Sequence, residues 1–347
     1  MQSLSLLEIE DEARHRLDPA VYDFFAGGAG DEVTVRANQA GFAQIGLVPR
    51  VLCGTSTREL AVTLLGRRTA QPVIVAPTAF HRLAHPDGEL ATARAAANAG
   101  VIMIVSMAST VAIDQLAETG ADLWFQLYIQ PDLGFTEQLV RRAEAAGCTA
   151  LVVSVDSPVF GRRERDLRNG FLDLPPGMAC AHMDGRPIAF RSDLSWDHID
   201  WLRSVSTLPI VLKGVVHPQD ARLAIDHGID ALAVSNHGGR QLDTVPATVE
   251  LLPPVAEAVG GTIPLLLDGG VRRGTDVLKA LALGADAVAI GRPVLWGLAV
   301  AGEDGVAQVL EMLRTELELA LALCGCRSPG DVSRDLIWRK RCCRCSS

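Results

Sequence analysis

The chain has 347 residues, 48% of them hydrophobic, which suits one α/β barrel of about 250 residues with extensions better than two ordinary domains. Its net charge of −9 argues against nucleic acid or an anionic membrane as partner, since both demand clustered positive charge. No apolar run reaches the roughly 18 residues of a membrane span. Met1–Asp18 lacks the order of a signal peptide, and the last residues are neither a peroxisomal tripeptide nor a prenylation box, so a cytoplasmic protein is expected.

Residues 1–69 read as an N-terminal helical segment. From about residue 70 short apolar runs recur: Pro72–Pro77, Val101–Ser106, Leu123–Tyr128, Ala150–Val155, Pro209–Lys213, Ala231–Ser235, Ile263–Asp268 and Ala285–Ile290. Each is short and apolar enough to be a strand buried on both faces. Amphipathic stretches lie between most of them, such as Gly88–Ala99, Leu133–Ala146, Pro218–His227 and Thr275–Leu283. Gly100, Gly147, Gly228 and Gly284 follow these stretches, where a helix end favours a left-handed residue.

Eight such units predict a (β/α)8 TIM barrel over about residues 70–325, in a single domain spanning 1–347 with a C-terminal tail at 338–347. A doubly wound open sheet is the alternative; it would bind its ligand at one crevice rather than around a ring of strand ends. The longest interruption, roughly Phe160 to Trp196, contains Pro175, Pro176, Gly177, Gly185 and Pro187, and predicts a lid after strand four.

The polar residues fall where these strands end. Pro77-Thr78-Ala79 follow the first strand, Ser106 ends the second, and Gln126 and Tyr128 lie on the third. Ser154 and Asp156, then Arg162 and Arg163, belong to the fourth; Lys213 closes the fifth. Ser235-Asn236-His237-Gly238-Gly239-Arg240, Asp268-Gly269-Gly270-Val271-Arg272 and Gly291-Arg292 follow the last three. Active sites of this fold sit at those ends.

The seventh and eighth loops suit a phosphate: glycines let backbone N–H groups approach its oxygens, and Arg272 and Arg292 supply charge and bidentate donors. Either loop alone would read as a tight turn. Lys213 is one of only three lysines, and at a buried strand end it should face an anion or an electron-rich cofactor atom; a neighbouring carboxylate is the plainer alternative. His237, beside two glycines and near Arg240 with Asp156 opposite, suits a general base, whereas His15, His81, His85, His182, His198, His217 and His227 read as surface or helix residues. Of eight cysteines, Cys342, Cys343 and Cys345 crowd a basic tail; metal binding there competes with a frayed reduced terminus, which lacks zinc-like spacing, and no metal is expected.

The strings SNHGGRQLD, LLLDGGVRRGTDVLKALALGADAVAIGRP and LCGCRS, with VYDFFAGGAGDE, APTAFHRLAHPDGE, WFQLY and SVDSPVFGRRERDLRNGF, resemble the FMN-dependent 2-hydroxy acid oxidase and dehydrogenase family over about residues 5–337. The resemblance implies oxidation of an L-2-hydroxy acid to the 2-oxo acid, with O2 accepting the electrons and H2O2 released. It implies FMN held by Pro77, Thr78, Ala79, Ser106, Gln126, Ser154, Lys213, Ser235, Asp268, Gly269, Gly270, Arg272, Gly291 and Arg292. Arg163 and Arg240 would clamp the substrate carboxylate, Tyr22 and Tyr128 would hydrogen-bond the substrate, and His237 would be the base with Asp156 behind it. It further implies a homotetramer or homo-octamer.

The sequence has Met107-Ala108 where small-substrate oxidases of the family carry a Trp, and Phe160 nearby. The expected substrate is therefore medium-chain or aromatic, such as mandelate, rather than glycolate. The lid lacks a long apolar anchor, which disfavours the membrane-attached mandelate dehydrogenase branch, and no haem-binding extension precedes the barrel. The alternatives are a dehydrogenase of the same family feeding a quinone or other carrier, a glycolate or lactate oxidase, a non-redox FMN barrel, and a catalytically dead FMN-binding protein.

Overall fold

The computed structural model describes residues 3–171 and 174–339. Eight parallel strands close into a barrel: β1 (Val73–Val75), β2 (Met103–Ser106), β3 (Leu123–Leu127), β4 (Ala150–Ser154), β5 (Ile210–Lys213), β6 (Ala231–Val234), β7 (Leu265–Asp268) and β8 (Ala287–Ile290). Ring closure pairs β8 with β1 at Val288↔Val73 and Ile290↔Val75. All eight expected strands and the TIM barrel are therefore present, and the open-sheet alternative is not.

Side chains alternate along each strand. Ile74, Ile104, Trp124, Val152, Val211, Ala233, Leu266 and Ala289 point into the barrel and form one packed cluster. Their neighbours point outward and join the layer beneath the helices. A hairpin, Val62–Leu64 with Arg67–Thr69, brings fully buried Leu64 into the inner cluster. Bulky Trp124 fills the interior, so the barrel is a core, not a pore.

Three helices precede the barrel: α1 (Leu6–Arg16), α2 (Pro19–Ala26) and α3 (Val33–Ala43). The second starts as its sequence dictates, since Asp18 Oδ1 accepts from Ala20 N–H and Pro19 occupies the first turn. Helices after the strands run Gly88–Ala99, Leu133–Ala145, Pro218–Asp226 and Gly274–Ala282, close to the expected bounds. Gly100, Gly147, Gly228 and Gly284 all have positive φ at or just past those helix ends.

The expected tail loses its first two residues to a strand. Ile337–Arg339 pairs antiparallel with Ile45–Leu47, and Gly46 leaves room for Trp338, whose Cε3 would lie 3.1 Å from any added Cβ. The tail cysteines Cys342, Cys343 and Cys345 lie outside the described residues. Among the described residues no helix is long and apolar enough to cross a membrane.

Candidate active site

Two residues beyond the apolar filling, the inward-facing position turns polar on most strands, because a strand's side-chain period is two. These positions carry Ser106, Gln126, Ser154, Lys213, Ser235 and Asp268. Ser106 Oγ donates to Gln126 Oε1 at 3.1 Å, and Gln126 Nε2 donates to Ser154 Oγ at 3.2 Å. Lys213 Nζ lies 3.0 Å from Ser235 Oγ and 3.1 Å from Asp268 Oδ2. The plainer reading of Lys213, a partner carboxylate, is thus part of the answer. Burial alone would lower its pKa, but Asp268 and Asp156 outweigh that and raise it, so it stays charged.

This polar ring floors a cavity of about 1040 Å³ at the C-terminal ends of the strands. The long connection after β4 walls it with Phe171, Leu174, Pro175, Met178, Ile188 and Phe190, as expected of a lid.

His237 sits at φ 56°, an unusual backbone region for a residue with a Cβ, and Gly238 and Gly239 continue the left-handed turn at 62° and 77°. The turn aims the imidazole at two groups. Nδ1 lies 2.9 Å from Asp156 Oδ1, and Nε2 lies 3.4 Å from Tyr128 Oη. A carboxylate at Nδ1 fixes the proton there and leaves Nε2 as an acceptor facing the cavity. Burial, Lys213 and Arg163 hold the His237 pKa below its ordinary value, against the pull of Asp156. Asp156 itself is held low: burial opposes ionisation, but His237 and Lys213 prevail. Gly214, at φ 108°, passes so close that an added Cβ would lie 2.6 Å from Asp156 Cγ. Sequence reading missed it; its signal was a glycine directly after the strand-end lysine.

Arg163 and Arg240 both line the cavity. Arg240 Nη1 donates to the carbonyls of Phe24 and Gly27, at 2.6 and 3.0 Å, and its Cζ lies 5.0 Å from the centre of the Phe24 ring. Arg163 Nε donates to the Arg240 carbonyl at 3.4 Å, with its Cζ 4.1 Å from the centre of the Phe160 ring. Burial and its neighbours Arg163 and Arg292 push the Arg240 pKa well down, against a weaker upward pull from Asp166.

Three expectations about this wall need correcting. Tyr22 does not line the cavity; its ring stacks on Trp296 at 5.2 Å, and Phe24 takes the place at the mouth. Positions two apart on a helix differ by about 200°, so both cannot face the same way. Met107 is fully buried away from the cavity, and only Ala108 reaches it. His182 is buried in a turn, neither surface nor helix, with Nδ1 3.3 Å from the Met107 carbonyl; His81 begins a one-turn helix, as that reading allowed, but is buried with Nε2 2.6 Å from Thr78 Oγ1. The aromatic wall was largely unread: Phe24 packs on Phe80 at 5.7 Å and Phe171 at 4.8 Å, and Phe160 on Phe190 at 5.6 Å.

The residues fit an FMN. Pro77, Thr78, Ala79, Ser106, Gln126, Ser154, Lys213, Asp268, Gly269, Gly270, Arg272, Gly291 and Arg292 all line the cavity; Ser235, behind it, orients Lys213 and accepts from His237 N–H at 3.1 Å. At the phosphate end, burial and Arg272 push Arg292 down to about 10, and burial also lowers Arg272. Two half-buried guanidiniums, of which Arg272 has its carboxylate neighbour Glu10 at 4.0 Å, suit a phosphate. Arg292, however, is held by the carbonyls of Phe25, Gly27 and Gly238, so the free fork expected of it is not what this structure shows. The positive φ of Gly269 and Gly270, 96° and 91°, also answers to packing, since a Cβ on Gly270 would run into the Asn38 carbonyl.

A closed (β/α)8 barrel with arginines and glycine turns at one end of its cavity, a polar floor and a carboxylate-backed histidine fits a flavin-mononucleotide oxidoreductase. The FMN-dependent dehydrogenase family matches residues 13–339. The chain is 46% identical to the L-lactate oxidase of Nostoc sp., covering 96% of this chain and 98% of that one. It is 45% identical to the glycolate oxidase of Spinacia oleracea, covering 97% and 96%. The crystal structure of mandelate oxidase with benzoyl-formic acid superposes with a TM-score of 0.93 at 44% identity, covering 98% of this chain and 99% of that one. The chain belongs to the FMN-dependent dehydrogenase family, and FMN is its cofactor.

Proposed function

We propose that this enzyme oxidises an L-2-hydroxy acid to the 2-oxo acid, with O2 as electron acceptor and H2O2 as product. The observation that carries the reading is the His237–Asp156 pair sharing a cavity with Arg163 and Arg240 above a polar floor. The arginines bind the carboxylate, which places the hydroxyl-bearing carbon between His237 and the floor; such orientation is worth several kcal/mol. Tyr128 Oη, beside Nε2, hydrogen-bonds the substrate oxygen. His237 Nε2 takes a proton, and Asp156 stabilises the imidazolium through Nδ1. FMN, when bound, accepts the two electrons. Lys213, kept charged by its carboxylates, would stabilise negative charge on the reduced cofactor. Its relatives' names as oxidases support O2 over a quinone.

The substrate we propose is medium-chain or aromatic. Phe24, Phe80, Phe160 and Phe190 support this, in place of the Met107 argument. The homo-oligomer, a tetramer or octamer, is supported by exposed Leu319, Leu323, Val51 and Trp338. A cytoplasmic location is supported by the thiols of Cys53, Cys148, Cys324 and Cys326, which form no disulfide among the described residues. The test is the ratio of kcat/KM for mandelate, 2-hydroxyoctanoate, lactate and glycolate, with peroxide measured in air. Mandelate or 2-hydroxyoctanoate should lead; glycolate as the best of the four refutes the substrate assignment, and no peroxide refutes O2 as acceptor.

A further inference from the structure

Asp166 is a buried carboxylate that the proposed reaction does not use. It sits on the short helix Glu164–Arg168 and lines the cavity, with its side chain only 10% exposed. Oδ2 lies 3.9 Å from Arg163 Nη1, and Oδ1 has no hydrogen-bond partner. Its charge acts on Arg163 and Arg240 alike. The other cations lining the cavity have carboxylates of their own: Lys213 pairs with Asp268, Arg162, largely exposed at the rim, lies 4.0 Å from Glu164, and Arg186 pairs with Asp132 at 3.1 Å. Arg272 and Arg292 belong to the phosphate end.

We propose that Asp166 sets the net charge of the carboxylate clamp, so that the pocket takes monocarboxylate 2-hydroxy acids and rejects dicarboxylates. This rests on the reading of Arg163 and Arg240 as the clamp. The two arginines bring two positive charges and Asp166 removes one. A single substrate carboxylate then brings the site to neutrality. A second carboxylate would lie unpaired against Phe24, Phe80, Phe160 and Phe190, where an uncompensated charge is costly. Burial, with Asp23, holds the Asp166 carboxyl above its ordinary value, against the pull of Arg240 and Arg163.

The test compares succinate with succinamate, which match in shape and differ by one charge and which carry no oxidisable hydroxyl. Each is titrated into the FMN-loaded enzyme by perturbation of the flavin absorbance. Succinamate should bind the wild type at least about tenfold more tightly than succinate, the scale of one uncompensated charge at a partly buried site. Asp166→Asn should abolish or reverse that preference, and Asp166→Glu should retain it. Equal binding of the pair by the wild type overturns the proposal, as does an unchanged preference in Asp166→Asn. The wild-type comparison decides the matter even where Asp166→Asn fails to load FMN. Because the titration needs no turnover, failure of every 2-hydroxy acid to bleach the flavin would refute the proposed function and leave this result standing.

Discussion

Replacing Asp156 by Asn removes a charge from behind His237 and little else. The shape is kept, and the amide oxygen can still accept from Nδ1, 2.9 Å from the present carboxylate oxygen. What disappears is the attraction between a carboxylate and the imidazolium formed as His237 takes the proton. With charge centres about 4 Å apart and an effective dielectric near 20, that attraction is about 4 kcal/mol, or roughly a thousandfold in rate. Lys213 acts on the same carboxylate but keeps Asp268, so the cofactor floor should survive. The pH profile provides a second readout. The His237 pKa already lies below its ordinary value, so the neutral base prevails above it and the rate falls as pH drops through it. Asp156 raises that pKa, so its loss should move the acid limb to still lower pH, even as the rate plateau falls. The assay is anaerobic flavin reduction by stopped flow at saturating substrate across pH. A plateau within about tenfold of wild type, with the acid limb unmoved, would refute the role given to this pair.

Other perturbations read different parts of the site. Arg163→Lys or Arg240→Lys should raise KM and lower kcat together, since a point charge cannot replace the guanidinium fork; equal oxidation of an acid and its ester by the wild type would dispose of the clamp. Arg272→Leu should weaken FMN retention far more than riboflavin binding, measured by fluorescence of released flavin; equal loss of both would remove Arg272 from the phosphate end. Phe24→Ala should cost an aromatic substrate about 1–3 kcal/mol in kcat/KM while glycolate changes little, and parallel losses for both would argue against Phe24 as a side-chain contact. Lys213→Met should be damaging beyond catalysis, because it strands Asp268 with a buried charge; unfolding midpoints should drop by the equivalent of about 3–5 kcal/mol, and an unchanged midpoint would contradict that pairing.

Much of this protein is legible along the chain because its signals are local. A buried parallel strand must be apolar on both faces, so Ala150–Ser154 and Ile210–Lys213 stand out without any knowledge of their neighbours. The polar residue that ends such a run must meet the barrel mouth, which is how Ser106, Lys213 and Asp268 could be assigned to one ring. The strings around His237 and Asp268 were long enough to identify the family. What needed the tertiary structure is which side of each element meets its partner. Tyr22 and Phe24 lie on one helix turn, and only the docking of that helix on the barrel turns Phe24 to the cavity and Tyr22 to Trp296. Met107 and Ala108 are consecutive, yet the turn after β2 buries one and exposes the other to the ligand space. Lys213 and Asp268 end strands with one other between them, β6, and meet because the curvature of the barrel turns both side chains inward. Periodicity determines the strands and helices residue by residue; the partners of a side chain are set by contacts between segments distant in sequence, which form only when helices, turns and strands pack into the barrel.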